Sequence, residues 1–115
     1  MGIKLKNNAF STLALNISAS DTGLAVASGD GAKFPALGAG DYFYATISDV
    51  NNNYEIVKVT ARSSDSMTIV RGQEGTLGLP FAANSRIELR ITAQTFADIM
   101  NGVLVTEAYT HSNLT

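Results

Sequence analysis

The chain contains no cysteine, so it has neither a disulfide framework nor a thiolate metal site. Histidine is nearly absent as well: His111 stands alone, close to the C-terminus. A serine triad or an imidazole metal site needs its ring held rigidly, and a chain end seldom offers that. His111 therefore reads as an exposed tail residue. Charge is sparse, at 16% of residues, and the net charge of −2 leaves no basic footprint for nucleic acid. No apolar run is long enough to span a membrane. The opening Met1-Gly2-Ile3-Lys4-Leu5-Lys6 runs into Asn7-Asn8 rather than an apolar core, so no secretion signal is read. Gly2 invites a myristoylation reading, but Lys6 stands where Ser or Thr is wanted.

What is present is small and uncharged. The 115 residues bound one domain with a single core. At 45% hydrophobic the chain is globular, with Ala, Gly, Ser, Thr and Asn standing where charges usually do. Such a surface suits a protein covered by copies or partners. It equally suits a β-rich domain with many turns.

Taken in order, residues 1–12 form an arm. Thr12 to Ser18 alternates, with Leu13, Leu15 and Ile17 on one face of a first strand. Ser20-Asp21-Thr22-Gly23 is a turn and Leu24 to Ala27 a short strand. The glycine-rich loop from Ser28 to Asp41 is long for a small domain, so Phe34 and Leu37 are expected to plug it into the core. Tyr42 to Ser48 is an aromatic, β-branched strand, and Asp49 to Asn53 a loop of turn formers.

The centre of the chain is a hairpin. Tyr54 to Arg62 is dense in β-branched residues, Ser63-Ser64-Asp65 turns, and Ser66 to Arg71 returns. Gly72 and Gly75 then release the chain through a tight exit that requires positive φ. After a turn at Ala83-Asn84-Ser85, Arg86 to Ile91 shows the clearest period-two pattern, with Ile87, Leu89 and Ile91 on one face. These strands predict an all-β fold, an antiparallel sandwich or partial barrel.

The period then changes. Thr92 is a good N-cap, and Ala93, Phe96, Ala97, Ile99 and Met100 share one side of a short helix, with Gly102 just past its end. The helix closes its own domain or docks on a neighbouring subunit, because it is marginal alone. Residues 103–115 read as an extended C-terminal tail. Its Val103 to Thr110 segment is expected to form a strand on its own sheet or on a neighbour's edge.

The order of these motifs carries a resemblance. Asn7-Asn8-Ala9 with Ser11-Thr12-Leu13, Ser28-Gly29-Asp30-Gly31-Ala32-Lys33-Phe34-Pro35, Tyr54-Glu55-Ile56-Val57-Lys58-Val59, and Arg71-Gly72-Gln73-Glu74-Gly75-Thr76 follow one another. Arg86-Ile87-Glu88-Leu89-Arg90 and Thr92-Ala93 complete the series, which spans roughly residues 1–100. Together they resemble a family of small tailed-bacteriophage virion structural proteins, which occur alone or at the head of tail-fibre and head-fibre chains. Asn84-Ser85 stands where Gly-Asp is the family pattern, and Phe81 where Trp often stands. Asn tolerates the left-handed region, so the turn can survive. Residues 101–115 have no counterpart in the pattern.

The resemblance implies a structural rather than catalytic protein, a homo-oligomer docked on other phage virion proteins of the tail, neck or capsid. It would be assembled in the bacterial host cytoplasm and located in the virion. Neither cofactor, metal, nucleic acid nor membrane enters this expectation. Gly29-Asp30-Gly31 lacks the further glycine, lysine and helix of a phosphate loop, and Asp21, Asp30, Asp41, Asp49 and Asp65 sit in turns without calcium-loop spacing. Tyr42, Phe43 and Tyr44 admit a carbohydrate-binding platform, but packing is the stronger reading. The candidate interface comprises Arg71, Glu74, Arg86, Glu88 and Arg90, with Val103, Val105 and Tyr109 from the tail. The charged residues read either as an exposed ladder or as bidentate contacts to a partner carboxylate.

Overall fold

The strands follow the β-branched and aromatic runs. In the computed structural model, which describes residues 2–110, they are β1 (Gly2–Ile3), β2 (Phe10–Thr12), β3 (Gly23–Ala25) and β4 (Asp41–Ser48). The central and last strands are β5 (Tyr54–Ser63), β6 (Ser66–Gln73) and β7 (Arg86–Leu89), and a helix α1 (Ala93–Thr110) follows. The sheet order is β2-β7-β4-β5-β6-β3, antiparallel throughout, with β1 added in parallel to β4. Two register shifts along β5–β6 add local twist. The sheet curls into a half-barrel whose two edges meet where Leu13 bridges Val26. Of the two architectures expected, this is the partial barrel.

Alternation decides what the curl encloses. Phe43, Ala45 and Ile47 of β4, Val57 and Val59 of β5, Met67 and Ile69 of β6, and Ile87 of β7 all face the core. The loop after β3 closes it as expected: Phe34 is fully buried, stacked on Phe43 at 5.8 Å, and Leu37 packs beside it. Asp65, in the β5–β6 turn, holds that loop by accepting hydrogen bonds from the backbone N–H groups of Gly29 (3.0 Å) and Gly31 (2.8 Å). The approach is so close that a Cβ on Gly31 would stand 1.9 Å from the Ser64 carbonyl oxygen. The exit from β6 turns through positive φ at Gly72, Glu74 and Gly75.

Four expectations are corrected. Leu15 is 68% exposed and does not share a face with Leu13 and Ile17. The chain bends there because Ala14 donates to Ala25 while Ile17 pairs with Phe81, so the period-two pattern breaks between them. Ile91 is also exposed: β7 leaves β4 after Leu89, and the chain is already turning toward α1. The helix turns a different side inward from the predicted stripe. Thr95 is buried and Asp98 and Ile99 are half-buried, whereas Ala93, Phe96, Ala97 and Met100 face out. Finally, α1 does not stop at Gly102, so residues 103–110 have helical backbone, not a strand. Once nucleated, a helix gains a hydrogen bond per residue, and one glycine costs only about 1 kcal/mol.

Candidate functional site

The motif segment builds an internal clamp. Glu55 lies in phase with Val57 and Val59, so the alternation of β5 drives its carboxylate into the core, where it is fully buried. Such a charge needs a partner. Arg71 of β6 supplies it in a two-pronged pair, Nε to Oε2 at 2.8 Å and Nη2 to Oε1 at 2.7 Å. The remaining guanidinium N–H groups donate to the carbonyls of Ser18 (2.6 Å), Asp21 (2.9 Å) and Leu79 (2.6 Å). All five guanidinium donors are thereby used. Glu55 also accepts from the backbone N–H groups of Gly72 and Leu79, each at 2.9 Å. Burial alone would raise the Glu55 carboxyl; the hydrogen bonds from Arg71, Gly72 and Leu79 outweigh it and hold the group below its ordinary range. Thr76 completes the knot by accepting from the Ile56 N–H at 3.1 Å and donating to the Gln73 carbonyl at 2.7 Å. The clamp thus ties β5 and β6 to the loops on both sides of them.

Glu74 does something separate. Its Oε1 accepts the backbone N–H of Gln94 at 3.0 Å, placing a carboxylate at the positive end of α1. The cap expected at Thr92 is present: its hydroxyl accepts from the Thr95 N–H at 3.1 Å. A third anchor comes from β4, where the Tyr42 hydroxyl donates to Asp98 at 2.5 Å while Gln94 donates to the other Asp98 oxygen. Burial, then that hydrogen bond, pushes the Tyr42 phenol up to about 12. Tyr44 meets the Tyr42 ring edge-on at 5.7 Å but is itself buried, and Lys58 lies over Tyr42 at 4.4 Å. Phe43 and Tyr44 are thus buried, and Tyr42 is half-buried with Lys58 over its ring and its hydroxyl bound to Asp98.

Arg86 and Glu88 of β7 and Arg90 just past its end form a surface ladder. Glu88 accepts from Arg86 at 3.1 Å on one oxygen and from Arg90 at 2.6 Å on the other. Both arginine side chains are about half exposed, Arg86 at 50% and Arg90 at 53%. Arg86 also covers the ring of Phe10 on β2 at 4.7 Å, and Lys33 approaches the same ring at 4.9 Å.

The eight residues singled out from the sequence therefore separate. Arg71 is spent inside the chain, Glu74 caps the helix, and Arg86, Glu88 and Arg90 stand together on the surface. Val103, Val105 and Tyr109 lie in the helical part of the backbone, and their side chains, like His111, fall outside the described residues. The sequence reading missed Glu55, Asp98 and Tyr42 as anchors. For Glu55 a signal existed: an acid sharing the parity of Val57 and Val59 is an acid in a buried row. Among the described residues no group of three or more His, Cys, Asp or Glu side chains could hold a metal ion, and no helix is long and apolar enough to cross a membrane. Compared with protein-family models and with curated proteins, the chain matches none significantly.

Proposed function

We propose that this chain is a bacteriophage virion structural protein, a tail or neck adaptor or fibre-anchoring component that assembles symmetrically and docks on other virion proteins. The observation that carries this reading is the use made of the Arg71–Thr76 motif. Its arginine and Thr76, together with Glu55, are bound to one another and to backbone, so the segment with the strongest family resemblance acts as architecture. Glu74 is exposed, and its carboxylate is likewise used within the chain, capping α1. The rigid half-barrel is then the docking body. Among its exposed elements, the β7 ladder and the outer side of α1 are surfaces able to meet neighbours. A place on the capsid surface, as a decoration or head-fibre protein, uses the same body and differs only in the partner.

The test is composition and position in a particle. Phage particles purified from a host producing this chain should contain it in a copy number set by a symmetry axis. Antibody labelling seen by electron microscopy should fall at the neck or tail. Labelling over the whole head would favour capsid decoration, and absence from purified particles would overturn the proposal.

A further inference from the structure

Where β4 ends and β7 begins, two turns face each other across a cleft of about 450 Å³. Residues 48–51 line one side and residues 82–86 the other. The volume falls within the range of about 300–1,000 Å³ typical of small-ligand sites. Both walls are fixed from within. The Asp49 carboxylate accepts from the backbone N–H groups of Asn51 (2.9 Å) and Asn53 (3.0 Å) and from the Asn53 amide (3.1 Å). Opposite, the backbone N–H of Asn84 donates to the Leu13 carbonyl at 2.8 Å, and that of Ser85 to the Ala82 carbonyl at 3.1 Å.

The walls spend their backbone and Asp49 on themselves, and leave the other polar side chains unspent. Among the described residues, the side chains of Ser48, Asn51, Asn84 and Ser85 make no hydrogen bond. Arg86 gives Nε and Nη2 to Glu88 and keeps Nη1 unbonded. The larger cleft, of about 570 Å³ beside Leu15 and Leu24, is different: its Asn16, Asp21 and Arg62 side chains are already bonded within the chain.

Register adds a ring to the smaller cleft. Ser48 pairs with Arg86 on one side and with Tyr54 on the other. Ile47, Glu55 and Ile87 point into the core, so these three neighbours stand together on the outer face. Paired residues have Cβ atoms about 5 Å apart, which sets Tyr54 beside the cleft. Its side is open: Tyr54 is 57% exposed, and among the described residues no ring or cation lies against it and its hydroxyl makes no hydrogen bond.

These groups select a ligand by chemistry. The cleft holds one acid and one base, and both oxygens of the acid are spent, so it suits neither a polyanion nor a cation. An apolar ligand would strip water from the two amides and leave them unpaired. A sugar ring meets both demands. Each of its hydroxyls donates and accepts, as each amide does, and its C–H face can lie flat on an aromatic ring.

We propose that this cleft binds a neutral saccharide, with Asn51 and Asn84 bonding its hydroxyls and Tyr54 stacking on its C–H face. Ser48 and Ser85 supply further hydroxyl partners, and Val50 and Ala83 the carbon surface between them. The activity is additional to the particle role proposed above and does not depend on it.

The experiment presents the fluorescently labelled full chain to a printed array of neutral and uronic-acid glycans, then titrates the best-bound neutral glycan by calorimetry. The expected result is saturable binding that Tyr54→Ala and Asn84→Gly each weaken about tenfold, the effect of one lost contact. Glycine adopts the φ of 75° found at Asn84, so this variant removes the amide and keeps the turn. Asn51→Ala, on the facing wall, should weaken binding similarly, and circular dichroism should show all three variants folded as the natural chain is. Leu15→Ala, at the larger cleft, should leave the affinity unchanged. An array on which no neutral glycan is bound overturns the proposal, as does binding confined to acidic glycans. Binding that survives the three cleft substitutions, or that Leu15→Ala abolishes, overturns it too. Absence from particles would sink the virion reading and leave this one standing; absence of glycan binding does the reverse.

Discussion

Two arginine–carboxylate sites sit in this small protein, and they differ in almost everything except chemistry. The Glu55–Arg71 pair is enclosed: the carboxylate has no exposure, the guanidinium little, and every donor has an acceptor. The Arg86–Glu88–Arg90 ladder has comparable distances but lies along one open strand with its arginines half in water. Distance therefore does not rank them. Surroundings do, because water screens the ladder and leaves each of its members a substitute partner. Inside the barrel a broken pair has no substitute, and the orphaned charge must stay buried.

The largest effect is expected from breaking the inner site. Arg71→Ala leaves the Glu55 carboxylate in the core with only two backbone donors, a loss of about 3–5 kcal/mol. Against a typical total of about 5–15 kcal/mol this is a large fraction, and urea unfolding will show it. Arg71→Lys keeps the charge but offers three donors in place of five, so it should recover only part of the loss. A variant as stable as the natural chain would mean that the clamp is ornamental and the comparison empty.

Acid provides the same test without mutation. The folded Glu55 carboxyl lies below its ordinary value, so its contribution is fully present above the unfolded value of about 4.3 and fades as pH falls through the lower folded value. Stability should thus drop on acidification below that point, and Glu55→Gln should flatten this part of the curve while lowering the whole of it. Alkali probes the helix base in the opposite sense. The Tyr42 phenol is raised from 10.0 to about 12, so its contribution holds below pH 10 and is lost as pH rises toward 12. Tyr42→Phe removes the hydrogen bond to Asp98, with an expected cost of about 1 kcal/mol, and should remove that alkaline step as well.

The difference between the two sites also explains what could be seen in the sequence. The hairpin of β5 and β6, its turn and the plug at Phe34 follow from β-branched runs, short polar turn residues and a loop too long to stay unpacked. Those are local rules, and they held. Arg71 and Arg86 look alike in a sequence, each an arginine near a strand's end, yet one is buried and one is not. Telling them apart requires knowing that Glu55 points inward sixteen residues earlier, a fact about pairing across the sheet. The helix failed for a related reason. Its apolar stripe was legible, but Tyr42, Glu74 and Thr92 fix its rotation through polar contacts, and these outweigh the preference to bury Phe96.

The smallest effect belongs to the ladder, and it is the one that sharpens the comparison most. Glu88→Ala should cost no more than about 1 kcal/mol, and that cost should shrink as salt is added. A double-mutant cycle between Arg86 and Glu88 should return a coupling of about 0.2–1 kcal/mol, well below that between Arg71 and Glu55. Glu88→Lys goes further by setting three cations side by side on β7, next to the Lys33 that already shares the Phe10 ring. The barrel tolerates this because none of those groups is buried, so the melting temperature should fall by only a few degrees. Any larger consequence must come from a neighbour. If β7 meets another protein or another copy, Glu88→Lys should weaken that association while the isolated chain remains folded, and adding salt should partly restore it. An association left at full strength would confine the ladder to the chain's own surface.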